Sequence, residues 1–131
     1  MNDQERFEEI EDILSELDSS DSVILIEGNK DRRALDNLGL NDAVTIEVQR
    51  EGGPLRTAER LCQMKKDAII LTDWDDRGDR LASQLSEQMD ALCVRYDTKI
   101  RSRLRDVCIK DIKDVESLDS LYGRLKDALT E

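Results

Sequence analysis

Glu27, Asp73 and Asp75 belong to two short signatures that each follow a run of aliphatic residues, where an acid is hard to explain as packing. The first run is Val23-Ile24-Leu25-Ile26, followed by Glu27-Gly28-Asn29-Lys30-Asp31. The second is Ala68-Ile69-Ile70-Leu71, followed by Thr72-Asp73-Trp74-Asp75-Asp76-Arg77-Gly78. If the two runs are neighbouring strands of one parallel sheet, the three carboxylates converge at its carboxyl edge. That edge is where open α/β sheets put their sites. The chain contains no histidine, so the set reads as a hard-oxygen cage for Mg²⁺, with Mn²⁺ as the substitute and one or two ions held. Mutual repulsion between Asp73 and Asp75 is a cost that a cation relieves.

Such ions clamp the attacking and leaving oxygens of a phosphoryl transfer. Glu27 is the third group, as a metal ligand or a proton carrier. Gly28 and Gly78 let a phosphate or metal approach the backbone closely, and the helix starting near Gly78 favours anions at its N-terminus. Lys30 and Arg77 are the candidate phosphate contacts. Plainer readings compete. Asp76 and Asp79 suit the first turn of a helix, and Asp31 is equally a helix-start acid. Trp74 reads as packing over the sheet edge before it reads as a stacking platform for a base. Asp73-Trp74-Asp75 alone would be weak evidence; its place after an apolar strand, matched by Glu27 after another, gives it weight.

The elements that must position these residues follow from periodicity. Phe7, Ile10, Leu14 and Leu17 predict a helix over 4–18. Residues 22–27 read as a strand covered on both faces, 29–38 as a helix stopped by Gly39, and 43–48 as a second strand. Gly52-Gly53-Pro54 opens a further helix. Residues 67–72 are the third strand, 78–90 a helix, and Ala91 to Tyr96 the fourth strand. A basic helical segment over 97–106 and a last helix over 115–129 complete the chain. Strand–helix alternation predicts an α/β single domain over 1–131: a parallel four-stranded sheet with helices on both faces and right-handed crossovers.

The bulk numbers agree with one domain built on an aliphatic core, since 131 residues are 39% charged and 3% aromatic. The net charge of −11 opposes a purely electrostatic grip on nucleic acid and suits a surface facing a salty cytoplasm, where ions screen it. Cys62, Cys93 and Cys108 form no C-x-x-C pair and read as small buried residues, so a zinc site is not expected. The odd count fits a reducing cytoplasm, and no apolar stretch approaches the ~20 residues of a membrane span.

Ile26-Glu27-Gly28-Asn29-Lys30-Asp31 and Thr72-Asp73-Trp74-Asp75-Asp76-Arg77-Gly78-Asp79 resemble the Toprim domain, the metal-binding catalytic module of topoisomerases, bacterial-type primases, and certain nucleases and ribosomal-RNA maturases. The resemblance covers roughly residues 20–110. It is nearest to small stand-alone Toprim proteins of archaea and to maturase-type ribonucleases, and Ile112 to Leu118 is similar to the tail of that group. It implies two Mg²⁺ ions, with Glu27 as ligand and acid–base group, Asp73 bridging both ions, and Asp75 holding the second. A topoisomerase would need a further domain with a nucleophilic tyrosine, and Tyr96 and Tyr122 both read as structural. A primase would need further template-binding parts.

The resulting expectation is a Mg²⁺-dependent phosphodiester-cleaving or phosphoryl-transfer enzyme, most simply a nuclease acting on RNA or DNA. The alternative is a non-catalytic scaffold that binds nucleic acid or a protein complex. A receiver-like or haloacid-dehalogenase-like domain fits less well: the first strand ends on a single acid, and Arg77 stands where the phosphatase motif wants threonine or valine. For nucleic acid, the basic surface expected is Arg95 to Lys110, with Ile100, Leu104 and Cys108 inward and Arg101 and Arg105 among the exposed contacts. Arg50, Arg56 and Arg60 extend it. The plainer reading, a solvated helix face paired with nearby acids, stands beside it.

Overall fold

The computed structural model describes residues 1–130. Helix α1 (Asp3–Ser19) starts on a capping box: the Asn2 side chain accepts from the Glu5 N–H, and the Glu5 carboxylate accepts from the Asn2 N–H. It buries Ile10, Ile13, Leu14 and Leu17. Strand β1 (Val23–Ile26) is buried along its whole length, as its unbroken aliphatic sequence requires. There follow α2 (Asn29–Asn37), β2 (Thr45–Glu47), a one-turn helix α3 (Val48–Glu51) and α4 (Pro54–Met64). Gly52 and Gly53 separate the two helices at φ of 108° and 105°, which a side chain would resist, and Pro54 then opens α4. The chain continues through β3 (Ala68–Ile70), α5 (Asp76–Ala91), β4 (Tyr96–Asp97), α6 (Lys99–Cys108) and α7 (Leu118–Thr130).

The four strands form one parallel sheet in the order β2-β1-β3-β4. Alternation along the strands sends side chains to two cores. Ile24, Ile26, Ile69 and Leu71 face one layer, made by α1, α2, α6 and α7 through Ile10, Leu35, Leu104 and Leu121. Val23, Leu25, Ile46 and Ile70 face the other, made by α4 and α5 through Leu61, Leu85 and Met89. Each such side chain, fully buried, contributes roughly 1.5–3 kcal/mol. The α/β fold with a four-stranded parallel sheet and helices on both faces is therefore as expected.

Two elements differ from expectation. The strand read over Ala91 to Tyr96 is displaced: α5 runs on through Ala91, a left-handed turn at Cys93 follows, and only Tyr96–Asp97 pairs with β3. Burial explains it, because Val94 enters the second core from the turn and needs no ladder to do so. Helix α3 carries no periodic signal, being a single turn after β2. Among the described residues no helix is long and apolar enough to cross a membrane.

The order matters because β1 and β3 are adjacent and parallel, with Leu25 beside Ile70. Their carboxyl ends leave the sheet together. Glu27 follows one and Asp73 follows the other.

Candidate functional site

Glu27 is buried, and its Oε2 accepts a 2.8 Å hydrogen bond from the backbone N–H of Asp73. The two strand ends are thus tied by the first acid of each signature. The Asp73 carboxylate turns to the far end of the chain, where its Oδ1 accepts from the Val115 N–H at 2.9 Å. Asp31, in the first turn of α2, is buried and accepts from the Gly28 N–H at 3.1 Å. These bonds engage Glu27 Oε2, Asp73 Oδ1 and Asp31 Oδ2, one oxygen of each acid.

Together they line a cleft of about 370 Å³ with Gly28, Asn29, Lys30, Gln49, Arg77 and Glu116. Lys30 and Arg77 are exposed on its rim. Among the described residues, Glu27, Asp31, Asp73 and Glu116 have no ion-pair partner. That crowding shows in the acids themselves. Burial, then the charges of Asp31 and Glu27, push the Asp73 carboxyl up to about 8 against the opposing pull of the Val115 N–H. Burial also raises Asp31 to about 6, with Glu27 and Glu116 adding to it and the Gly28 N–H opposing it.

Several residues singled out in the sequence stand elsewhere. Asp75 does not line the cleft; it is the N-cap of α5, its Oδ1 accepting from the Gly78 N–H at 2.6 Å. The expected convergence of Glu27, Asp73 and Asp75 therefore holds for the first two acids, while helix capping claims the third. Gly78 is needed for close approach, but to the protein's own backbone: a Cβ there would lie 1.9 Å from the Asp73 carbonyl oxygen. Trp74 is a packing residue, buried, with its Nε1–H donating to the Ile112 carbonyl at 2.7 Å.

Arg101 is not an exposed phosphate contact. It is buried under the β3 exit, where its guanidinium donates to the Thr72 and Asp73 carbonyls and pairs with Asp79 at 2.7 Å. It fixes the loop that carries Asp73. Most of the remaining basic segment is spent within the chain. Arg103 bridges Glu9 and Glu16, Arg105 pairs with Asp106, and Arg95 with Asp67. The solvated, acid-paired face is the reading that matches this geometry.

Three lining residues carry no site role from the sequence: Asn29, Gln49 and Glu116. Asn29 adjoins Glu27 in the same signature and was within reach of it. Gln49 comes from the unexpected helix α3, and Glu116 reaches the cleft only because Val115 is bound to Asp73. No local signal marks Gln49, and Glu116 stands out only as part of the Ile112 to Leu118 stretch.

Beside the cationic Lys30 and Arg77, the lining offers carboxylates and the amide oxygens of Asn29 and Gln49, and oxygen is what a hard divalent cation selects. Yet among the described residues no three acid, cysteine or histidine side chains stand grouped to hold a metal ion. The acids fit in kind, and they would have to draw closer together to share an ion.

Comparison with known proteins settles the lineage. The chain is 37% identical to a UPF0292 protein of Methanosarcina acetivorans, over 93% of this chain and 83% of that one. A Thermococcus sibiricus UPF0292 protein is 34% identical over 93% and 94% of the two chains. The chain belongs to the UPF0292 family. A UPF0292 protein of Methanosarcina barkeri is also 34% identical, over 94% of this chain. In three dimensions a protein from Aquifex aeolicus superposes with a TM-score of 0.69 at 22% identity, covering 82% of this chain and 96% of that one, which shows a shared fold. No family model matches. These findings correct the Toprim resemblance: the relatives are UPF0292 proteins, and the two-ion assignments the resemblance implied for Glu27, Asp73 and Asp75 lose that warrant.

Proposed function

We propose that the protein is a Mg²⁺-dependent phosphodiester-cleaving or phosphoryl-transfer enzyme, most simply a nuclease acting on RNA or DNA in the cytoplasm. One observation carries the reading: Glu27, Asp31, Asp73 and Glu116 share a cleft at the carboxyl edge of β1 and β3, and none of them has a cationic partner among the described residues. Glu27 and Asp31 are buried, and buried acids are normally paired or bound to a cation. A divalent cation bound there would offset the charge of a phosphate and of the oxygens entering and leaving it.

The chain's own groups supply the rest. Lys30 and Arg77 on the rim attract the phosphate and orient it toward the acids. Asp73, pushed up to about 8 by burial and the neighbouring acids, gains most from a cation that relieves that repulsion and would face it as a ligand. Glu27 lies beside it, positioned to take a proton from an attacking water. Arg101 and Gly78 act indirectly, by holding the Asp73 loop against α5. Free Cys62, Cys93 and Cys108 agree with a reducing compartment.

A second reading has its own support. Asp75 is committed to capping, and no ready-made group of three metal ligands exists among the described residues. A non-catalytic scaffold that binds nucleic acid or a protein complex would need neither. The deciding experiment incubates labelled RNA and DNA oligonucleotides with the protein in Mg²⁺ or Mn²⁺, beside Glu27→Gln and Asp73→Asn. The enzyme reading expects cleavage by the wild type that falls by about 10²-fold or more in both variants. Equal cleavage by all three, or none by any, removes it.

A further inference from the structure

At the opposite edge of the sheet, Cys62 and Cys93 line one cleft of about 230 Å³ together with Lys65, Lys66, Asp67 and Arg95. Both thiols are exposed and free. They come from different elements: Cys62 lies near the end of α4, and Cys93 lies in the turn after α5. The turn is informative. Cys93 has φ of 57°, its N–H donates to the Asp90 carbonyl, and the following Val94 N–H reaches back to Met89. That is the left-handed helix stop that glycine or asparagine normally takes. Here it carries a Cβ and a thiol into the cleft instead.

The surroundings are basic in a protein of net charge −11. Lys65 and Lys66 are exposed, without ion-pair partners among the described residues, and Arg95 pairs with Asp67 at 3.4 Å. The third thiol is different in kind: Cys108 is buried, and burial pushes it up to about 12, so it stays inert.

The geometry points to a thiol-exchange site in which Cys62 and Cys93 react with an anionic low-molecular-weight disulfide. One cysteine thiolate attacks a sulfur of the disulfide RS–SR; the S–S bond breaks, and one RS⁻ leaves and takes a proton from water. The second cysteine thiolate then attacks the protein sulfur of the mixed disulfide and expels the other RS⁻. Two protein thiols are oxidised to a Cys62–Cys93 bond, and one disulfide is reduced to two thiols. Lys65 and Lys66 draw in the anionic reagent against the repulsion of the chain as a whole.

The test uses the full chain with glutathione disulfide, which is anionic, and cystamine, which is cationic. Free thiols are blocked at intervals, and intact and peptide masses are read. The wild type should lose two hydrogens, with Cys62 and Cys93 linked, while Cys62→Ser and Cys93→Ser each accumulate a stable mixed disulfide on the remaining thiol. Glutathione disulfide should outpace cystamine by about fivefold relative to a small model thiol, the factor one screened charge contact gives. Lys65→Gln with Lys66→Gln should erase that preference while leaving the linkage. Stable mixed disulfides on both cysteines of the wild type, no reaction, or a preference for cystamine would each overturn the proposal.

Discussion

Asp73→Asn tests the physical core of the site without any substrate. The wild-type carboxyl is pushed from 3.8 up to about 8 in the folded protein. A carboxyl raised on folding adds stability that is fully present below 3.8 and is lost as pH rises through about 8. Between pH 3.8 and 7 the shift corresponds to about 4 kcal/mol. Asp73 is only half-buried, so solvent screening reduces this to about 2 kcal/mol. Asparagine resembles the protonated acid, its Oδ1 can still accept from Val115, and it incurs no such cost. With about 2.1 cal/mol/K of unfolding entropy per residue over 131 residues, the variant should melt roughly 7 °C above wild type at pH 7 in the presence of a chelator. At pH 4.5 the gain should shrink to under ~2 °C by the same arithmetic. Millimolar Mg²⁺ should raise the wild-type Tm and leave the variant nearly unmoved. Differential scanning calorimetry across pH reads all of this. A variant that melts at or below wild type at pH 7, or whose advantage is the same at pH 4.5, would refute the account of the acids as uncompensated.

Gly78→Ala should destabilise the fold by about 2 kcal/mol or more, because the new methyl collides with the Asp73 carbonyl and cannot be relieved by a side-chain rotation; urea unfolding checks it. Arg101→Met should cost about 3 kcal/mol by leaving the Thr72 and Asp73 carbonyls without their donor, and Arg101→Lys should recover only part of that in the same denaturation series, lacking the planar fork. Trp74→Phe should lose about 1 kcal/mol with the Ile112 bond. In the wild type this single, buried indole should shift its fluorescence when Mn²⁺ is titrated into the neighbouring cleft; no change up to millimolar metal would count against binding there.

Much of the fold was legible because strands covered on both faces are written as unbroken aliphatic runs. Val23 to Ile26 and Ala68 to Leu71 announce themselves, and the acids that follow them are therefore conspicuous. Glu27 and Asp73 were found for that reason. Asp75, which caps α5 and does not line the cleft, was not distinguishable from them, because a carboxylate after a strand and a carboxylate before a helix look alike when both occur within three residues. Arg101 was misread because hydrophobic periodicity scores an arginine as exposed; carbonyls that need a donor are invisible to it. The fourth strand was read too early, over 91–96 instead of 96–97, because Leu92 and Val94 are apolar residues that reach the core from a turn. Glu116 and Gln49 depend on contacts between distant segments, and no window of sequence contains those.

The bond between Val115 and Asp73 joins residues 42 positions apart. The strands β1 and β3 that carry the acids precede residue 115 in the chain, so they can pair before it arrives. Until then one wall of the cleft is missing and Asp73 has lost a donor. A chain cut before residue 115 would present these carboxylates without their final arrangement, so the cleft is completed only when the segment after α6 docks.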